Sequence, residues 1–307
     1  MNPATTPQSP LLSGSSTRGF RMVSAAVALL SVTLLSLMAP LQPARAKSER
    51  IVALTPFAAN TMALLGVRPK AVGQTLGGDR RLKPVLSTTR VLPLSHPSGP
   101  NLEQLAQIRP RIVFSSPRWA KGSEGMRQLG IKVIESDPKS LGAVYRQTKM
   151  ISRVVGRQKK GRKLVRRMRK QLRKQTRGIR RRPKVMLILG VGRTPYTFLG
   201  NSWGGQLVKQ AGGRLLTGGA TASGGFARIS DETVIAENPD VIIGVPHANT
   251  EDIPAMIEYI KENPAWSSTK AATNDRVYVS TDNAMLQAGT DVAKVIGKIR
   301  QNYLKNR

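Results

Sequence analysis

Arg118-Trp119, Arg193 with Tyr196, Trp203, Phe226 with Arg228, and His247 set cations beside rings in loops of a 307-residue chain with only 4% aromatic residues. Phe57, just past the first apolar run, is grouped with them. A ring next to a guanidinium suits a flat or anionic ligand, through cation–π contact and paired hydrogen bonds. Those loop residues lie just after an expected strand or in the glycine-rich stretches at 190–205 and 218–225, where contact with a ligand is favoured over core filling. Any one ring, taken singly, reads equally well as a plug sealing the end of a packed lobe.

Other chemistries find no apparatus. Cysteine is absent, which removes thiolate metal sites, disulfides and Cys nucleophiles. The two histidines, His96 and His247, are too few for a bare zinc or manganese site built on several imidazoles. Gly190-x-Gly192 follows a strand, but Arg193-Thr194-Pro195 puts a proline where a dinucleotide-binding helix should open. No phosphate-binding Gly-rich loop with Lys occurs. The expectation is a binding protein, not an enzyme, with no cofactor of its own.

The elements that would position these loops alternate short apolar runs with helical stretches, the pattern of an α/β protein with mainly parallel sheets. Strands are expected at Ile51 to Leu54, Ala71 to Gln74, Ile112 to Ser115, Lys132 to Ile134, Val185 to Leu189, Asp240 to Val245 and Arg276 to Ser280. Loops at the carboxyl ends of such strands are where ligands sit. Helices are expected near Gln206 to Ala211, Asp231 to Glu237, Ile253 to Lys261 and Asp291 to Leu304. Between the two strand sets, 141–182 carries Leu164, Met168, Leu172 and Ile179 as an apolar stripe amid Lys and Arg, and reads as one long amphipathic helix ending before Pro183. Gly156 and Gly161 predict a break near its start.

The resulting organisation is a leader at 1–46, an N-terminal α/β lobe at 47–140, a basic inter-lobe helix at 141–182 and a C-terminal α/β lobe at 183–307. In the leader, Arg18 and Arg21 precede an uncharged apolar stretch from Met22 to Ala39, and Ala44-Arg45-Ala46 fits the small-x-small cleavage rule. Cleavage would start the mature chain at Lys47. The alternative is an uncleaved anchor over Met22 to Ala44; both readings export the rest, and the lack of Cys rules out the lipoprotein route.

An internal echo links the lobes. Asn101 through Pro110 runs into Arg111-Ile-Val-Phe114, and Ser230 through Pro239 runs into Asp240-Val-Ile-Ile243, each a short helix halted before proline. Glu103 and Glu232 both stand seven residues ahead of that proline, which predicts equivalent places on two similar lobes. One copy alone would say only that Glu favours a first helical turn.

Charge is lopsided. The formal net charge of +32 comes from 49 Lys and Arg against 17 Asp and Glu, no carboxylate side chain occurs between Asp137 and Asp231, and Arg153 to Lys184 holds 17 basic residues. Such a balance should draw anions over long range, whether anionic ligand, lipid, wall polymer or nucleic acid. The basic helix lacks the interleaved aromatics that stack on bases, so no nucleic-acid partner is expected.

Glu49-Arg-Ile-Val-Ala-Leu-Thr-Pro56 with Asn60-Thr61 and Leu65-Gly66-Val67 resembles the opening of the periplasmic binding proteins that serve vitamin B12, ferric siderophores and haem. Asn101-Leu102-Glu103 through Pro110, Leu129 through Val133, and Asn263-Pro264-Ala265-Trp266 through Val279 resemble the same family, so the likeness covers nearly the whole mature chain. The resemblance implies two lobes joined by a single rigid helix with the ligand cleft between them, a periplasmic monomer, and delivery to the membrane subunits of an ABC importer. Glu103 and Glu232 match the family positions that dock on permease arginines. The metal would arrive inside the ligand: Arg118, Arg193 and Arg228 as counter-charges favour a ferric siderophore or haem, with cobalamin next and a basic envelope-binding protein as the alternative outside transport. Tyr196 and His247 are candidates to reach a haem iron.

Overall fold

Apolar triplets and quartets too short for helices become the buried strands of two sheets, as strands covered on both faces must be. They are seen in a computed structural model of the chain, which describes residues 50–75, 86–179, 182–190, 195–246, 252–280 and 283–305. The leader at 1–46, Arg193 and His247 lie outside the described residues. Ala46–Arg307 forms a compact unit by itself.

In the first lobe β1 (Ile51–Ala53) is central, with every residue buried. It lies between β2 (Ala71–Gly73) and β6 (Ile112–Ser115), and β3 (Arg90–Leu92) and β7 (Lys132–Glu135) complete an all-parallel sheet in the order β3-β2-β1-β6-β7. A small antiparallel ribbon, β4 (Leu94–Ser95) with β5 (Gly99–Pro100), sits beyond β3 in the chain. In the second lobe β8 (Lys184–Gly190) pairs in parallel with β12 (Val241–Pro246), which pairs in parallel with β13 (Val277–Val279). On its other side β8 meets β10 (Arg214–Leu216) in parallel along its first half, and β9 (Tyr196–Phe198) antiparallel along its second; β11 (Phe226–Arg228) closes that edge. Two α/β lobes with mainly parallel sheets are therefore the architecture. The strands not expected from the sequence, β3 to β5 and β9 to β11, are two or three residues each, too short to show a period.

Helix starts are written in capping residues. Thr55 accepts from the amide of Ala58 ahead of α1 (Pro56–Leu64), whose first residue is proline. The echo in the sequence is an echo in structure. Asn101 caps α2 (Leu102–Ile108) and Ser230 caps α7 (Asp231–Glu237), and each helix ends on a left-handed residue, Arg109 with φ 50° and Asn238 with φ 41°. The remaining helices are α3 (Ala120–Gln128), α6 (Trp203–Ala211), α8 (Asp252–Glu262), α9 (Pro264–Ser267), α10 (Lys270–Thr273) and α11 (Val292–Ile299), flanking α4 and α5 below. None of the described helices is long and apolar enough to cross a membrane.

The basic segment at 141–182, read as one helix, is two: α4 (Leu141–Val154) and α5 (Gln158–Thr176). Gly156, with φ +66°, takes the left-handed conformation that ends α4, and the chain doubles back. The two helices lie antiparallel and close: a Cβ on Gly161 would stand 2.2 Å from Ser152 Oγ, and the Arg169 guanidinium is 4.9 Å from the Tyr145 ring centre. α4 packs on α1 of the first lobe, whereas α5 packs on α11 of the second. The joining element is therefore α5 alone, about 28 Å long at 1.5 Å per residue. Its end is tied to the second lobe by Arg300, which donates to the carbonyls of Gln175 (2.7 Å), Arg177 (2.9 Å) and Gly178 (3.2 Å).

One apolar cluster runs through both lobes, from Phe57, Met62 and Phe114 through Leu164 and Met168 of α5 to Leu187, Leu207 and Ile296. Separate clusters cover the other face of each sheet, around Leu54 and Val113 in the first lobe and around Trp266 and Ile242 in the second. A core shared across α5 resists large lobe motions, because close-packed interiors deform little.

Candidate functional site

Loops from both sheets converge on a cleft of about 720 Å³, within the 300 to 1,000 Å³ range of small-molecule sites. The first lobe supplies His96, Ser116, Pro117 and Arg118, then Asp137 and Lys139; Ser116 to Arg118 follow β6 directly and Asp137 follows β7. The second lobe supplies Leu189, Tyr196, Phe226 and Gly224, with Asn283, Leu286 and Gln287 from the turn after β13. Ser116 to Arg118, Asp137, Lys139 and the turn after β13 lie past the carboxyl ends of strands, where open α/β sheets bind ligands, while Leu189, Tyr196 and Phe226 are strand residues.

Arg118 is held from two sides. The Ser116 hydroxyl accepts from the Arg118 amide (3.2 Å) and donates to Asp137 Oδ2 (2.7 Å), and the same carboxylate oxygen is 3.6 Å from Arg118 Nε. The other end of the guanidinium donates to the Leu286 carbonyl of the opposite lobe at 3.2 Å. Arg118 thus spans the cleft with Asp137 partly balancing its charge. On the facing wall, Arg228 Nε donates to the Tyr196 hydroxyl (3.2 Å), with the guanidinium 5.9 Å from the ring centre. The antiparallel register of β9 and β11 places these two residues opposite one another. Phe226 is steadied by Phe198 beneath it, edge-on at 4.8 Å between ring centres.

Of the residues expected at a ligand, Arg118, Tyr196 and Phe226 therefore stand in the cleft wall, and Arg228 reaches it through Tyr196. Phe57, Trp119 and Trp203 do not line it. Phe57 has no exposed surface and belongs to the core, which corrects its grouping with the ligand contacts. Trp203 is also core, with its indole N–H donating to the Ala284 carbonyl at 3.0 Å. Trp119 is half-buried, packed on the first-lobe core and closely against Gly99. The bulk of an indole fits a lobe end as readily as a ligand, so ring type alone could not separate these roles. Arg193 and His247 lie outside the described residues.

His96, Asp137, Lys139, Asn283 and Gln287 were missed. Position after a strand was the usable signal: Asp137 and Lys139 follow the predicted Lys132 to Ile134 strand, and Asn283 to Gln287 follow Arg276 to Ser280. Among the described residues no group of three His, Asp or Glu could hold a bare metal ion.

Glu103 and Glu232 are exposed, each in the first turn of its short helix. The Ser230 hydroxyl and a backbone amide hold the Glu232 carboxyl below its usual range, so it stays charged.

Residues 51–284 match the family model described as periplasmic binding protein. A cobalamin-binding protein of Halobacterium salinarum is 27% identical over 244 residues, covering 76% of this chain and 64% of that protein. The high-affinity heme uptake system protein IsdE of Staphylococcus aureus is 22% identical over 220 residues, covering 70% of this chain and 75% of that protein. The solved structure of S. aureus IsdE complexed with heme superposes with a TM-score of 0.72 at 22% identity, over 83% of this chain and 99% of that one. An ABC transporter substrate-binding protein from Listeria monocytogenes EGD-e gives 0.74 at 20% identity, over 83% and 98%.

Proposed function

The chain belongs to the periplasmic binding protein family, extracytoplasmic binding proteins rather than enzymes, and from that premise we propose that it captures an iron chelate in the inter-lobe cleft and hands it to an ABC importer. Haem is the chelate its chemistry suits best. The observation that carries this is Tyr196 in the wall of the cleft, with Arg228 behind it donating to its hydroxyl. A phenol oxygen is a ligand for ferric iron, and the Arg228 guanidinium donating to that oxygen holds it in position in the cleft. Around it, Phe226, Leu189 and Leu286 offer apolar contact to a flat ring, and Arg118 and Lys139 offer charge to carboxylates. His96, on the opposite lobe, is a second candidate for iron in place of His247.

Delivery follows from the two exposed glutamates. Glu103 on one lobe and Glu232 on the other would meet cationic membrane subunits, which then part the lobes and break the Arg118 bridge to Leu286. In this reading the leader is cleaved before Lys47 and the mature protein acts as a periplasmic monomer without a lipid anchor, carrying no cofactor besides its cargo. The S. aureus relative is named for heme uptake and the halobacterial one for cobalamin. Cobalamin is the second reading, supported by the amides Asn283 and Gln287 in the wall, which suit its amide-bearing ring.

The test is titration of residues 47–307 with haem, ferric siderophores and cobalamin, followed by absorbance and intrinsic fluorescence at low and high salt. A saturable shift of the haem absorption band with one equivalent bound is expected. Saturation by cobalamin alone would replace haem with the second reading. Failure of all three, with salt-sensitive adsorption to anionic polymers instead, would put a basic envelope-binding protein in place of a transporter component.

A further inference from the structure

Helix α5 joins the lobes, yet its outward half, apart from Arg169 over the Tyr145 ring, serves neither the fold nor the cleft. Ten of its 19 residues, from Lys159 to Lys174, are Lys or Arg, and all ten are exposed. At about 100° per residue they fan over roughly half the circumference of the helix, while Gly161, Leu164, Val165 and Met168 turn to the protein. Arg146, Lys149 and Arg153 extend the exposed charge onto α4. None of the ten has an ion-pair partner among the described residues, and no carboxylate side chain occurs between Asp137 and Asp231. Lys159 with Lys163, Arg162 with Arg166, and Arg166 with Lys170 stand four residues apart, where like charges repel and weaken a helix. Beyond the Arg169–Tyr145 contact, such a face works against folding, which points to a counter-charge outside the molecule.

We propose that the outward face of α5 is a peripheral binding surface for an anionic phospholipid bilayer. A straight cationic rod of about 28 Å suits a plane of headgroups. The half-circle of cations contains no aromatic or aliphatic side chain, so it adsorbs at the headgroups without insertion and is released by salt. Stacking groups for bases are missing from it, and the family is extracytoplasmic, which sets nucleic acid aside. No residue of α5 lines the cleft, so an adsorbed molecule keeps its site open to ligand. Holding the protein at the membrane would confine its search for the permease to a surface. The inference does not depend on which ligand the cleft takes.

Residues 47–307, a unit that stands by itself, would be sedimented with phosphatidylcholine vesicles, with and without one-third phosphatidylglycerol. Two quadruple variants are compared: Lys163→Gln, Arg166→Gln, Lys170→Gln and Arg173→Gln on α5, and Arg90→Gln, Arg111→Gln, Lys121→Gln and Lys132→Gln, exposed cations of the first lobe. Circular dichroism and melting temperature report folding of both. Binding by the parent should require phosphatidylglycerol and disappear at high salt. The α5 variant should lose about 100-fold or more in partitioning, at about fivefold per charge, and the first-lobe variant far less. Equal loss in both variants would reduce the effect to net charge and overturn the site. So would no preference of the parent for anionic vesicles, or tighter binding to duplex DNA than to those vesicles.

Discussion

Tyr196 and Arg228 face each other across β9 and β11, so the ligand chemistry proposed for the cleft depends on a strand register. Replacing Tyr196 with Phe keeps the ring and removes the oxygen. It should weaken haem binding tenfold or more and change the absorbance of the bound state, as loss of a group at or next to a metal does. An absorbance titration of Y196F against the parent checks this; equal affinity and an unchanged spectrum would remove Tyr196 from the iron. Trp119 behaves differently. Because its ring packs on the first-lobe core, Trp119→Ala should cost about 2 to 4 kcal/mol of stability with ligand affinity kept, read as a lower melting temperature beside an unchanged titration.

Between α4 and α5, contact is closest at Gly161 and Ser152. A methyl group at Gly161 meets Ser152 Oγ at 2.2 Å and its Cβ at 2.3 Å, both too near to be relieved by a small rotation. Gly161→Ala should therefore destabilise the protein by about 1 to 3 kcal/mol, despite alanine's better helix propensity, and denaturant melts would show it. A melt equal to the parent's would mean that the two helices separate without cost. The periodicity of this segment was legible as helix, and the glycines as a break, but the reversal was not. Direction after a left-handed glycine is set by what the next helix packs on, here Ser152 on one side and α11 on the other.

Across the whole molecule, the two copies of the helix–proline–strand motif set an exposed glutamate on each lobe. Glu103→Arg combined with Glu232→Arg should abolish uptake in cells while leaving ligand affinity within twofold, since neither residue lines the cleft. Normal uptake by the double variant would end the docking assignment. Both proposed contacts are electrostatic, two acidic points toward a permease and a cationic helix toward a bilayer.

From the sequence alone came the α/β class, the two-lobe division, the short proline-halted helices α2 and α7, the buried central strands and the concentration of charge between 153 and 184. Each is set by neighbours within about ten residues, through apolar period, local charge and proline. Which aromatic lines the cleft was decided only in three dimensions. Phe57 and Phe226 both follow the pattern of a ring in or near a loop, yet one has no exposed surface and the other stands in the cleft wall. The same holds for Arg118, whose reach to Leu286 spans 168 positions of sequence. Burial and contact across lobes depend on how distant segments pack, and no local pattern records that packing.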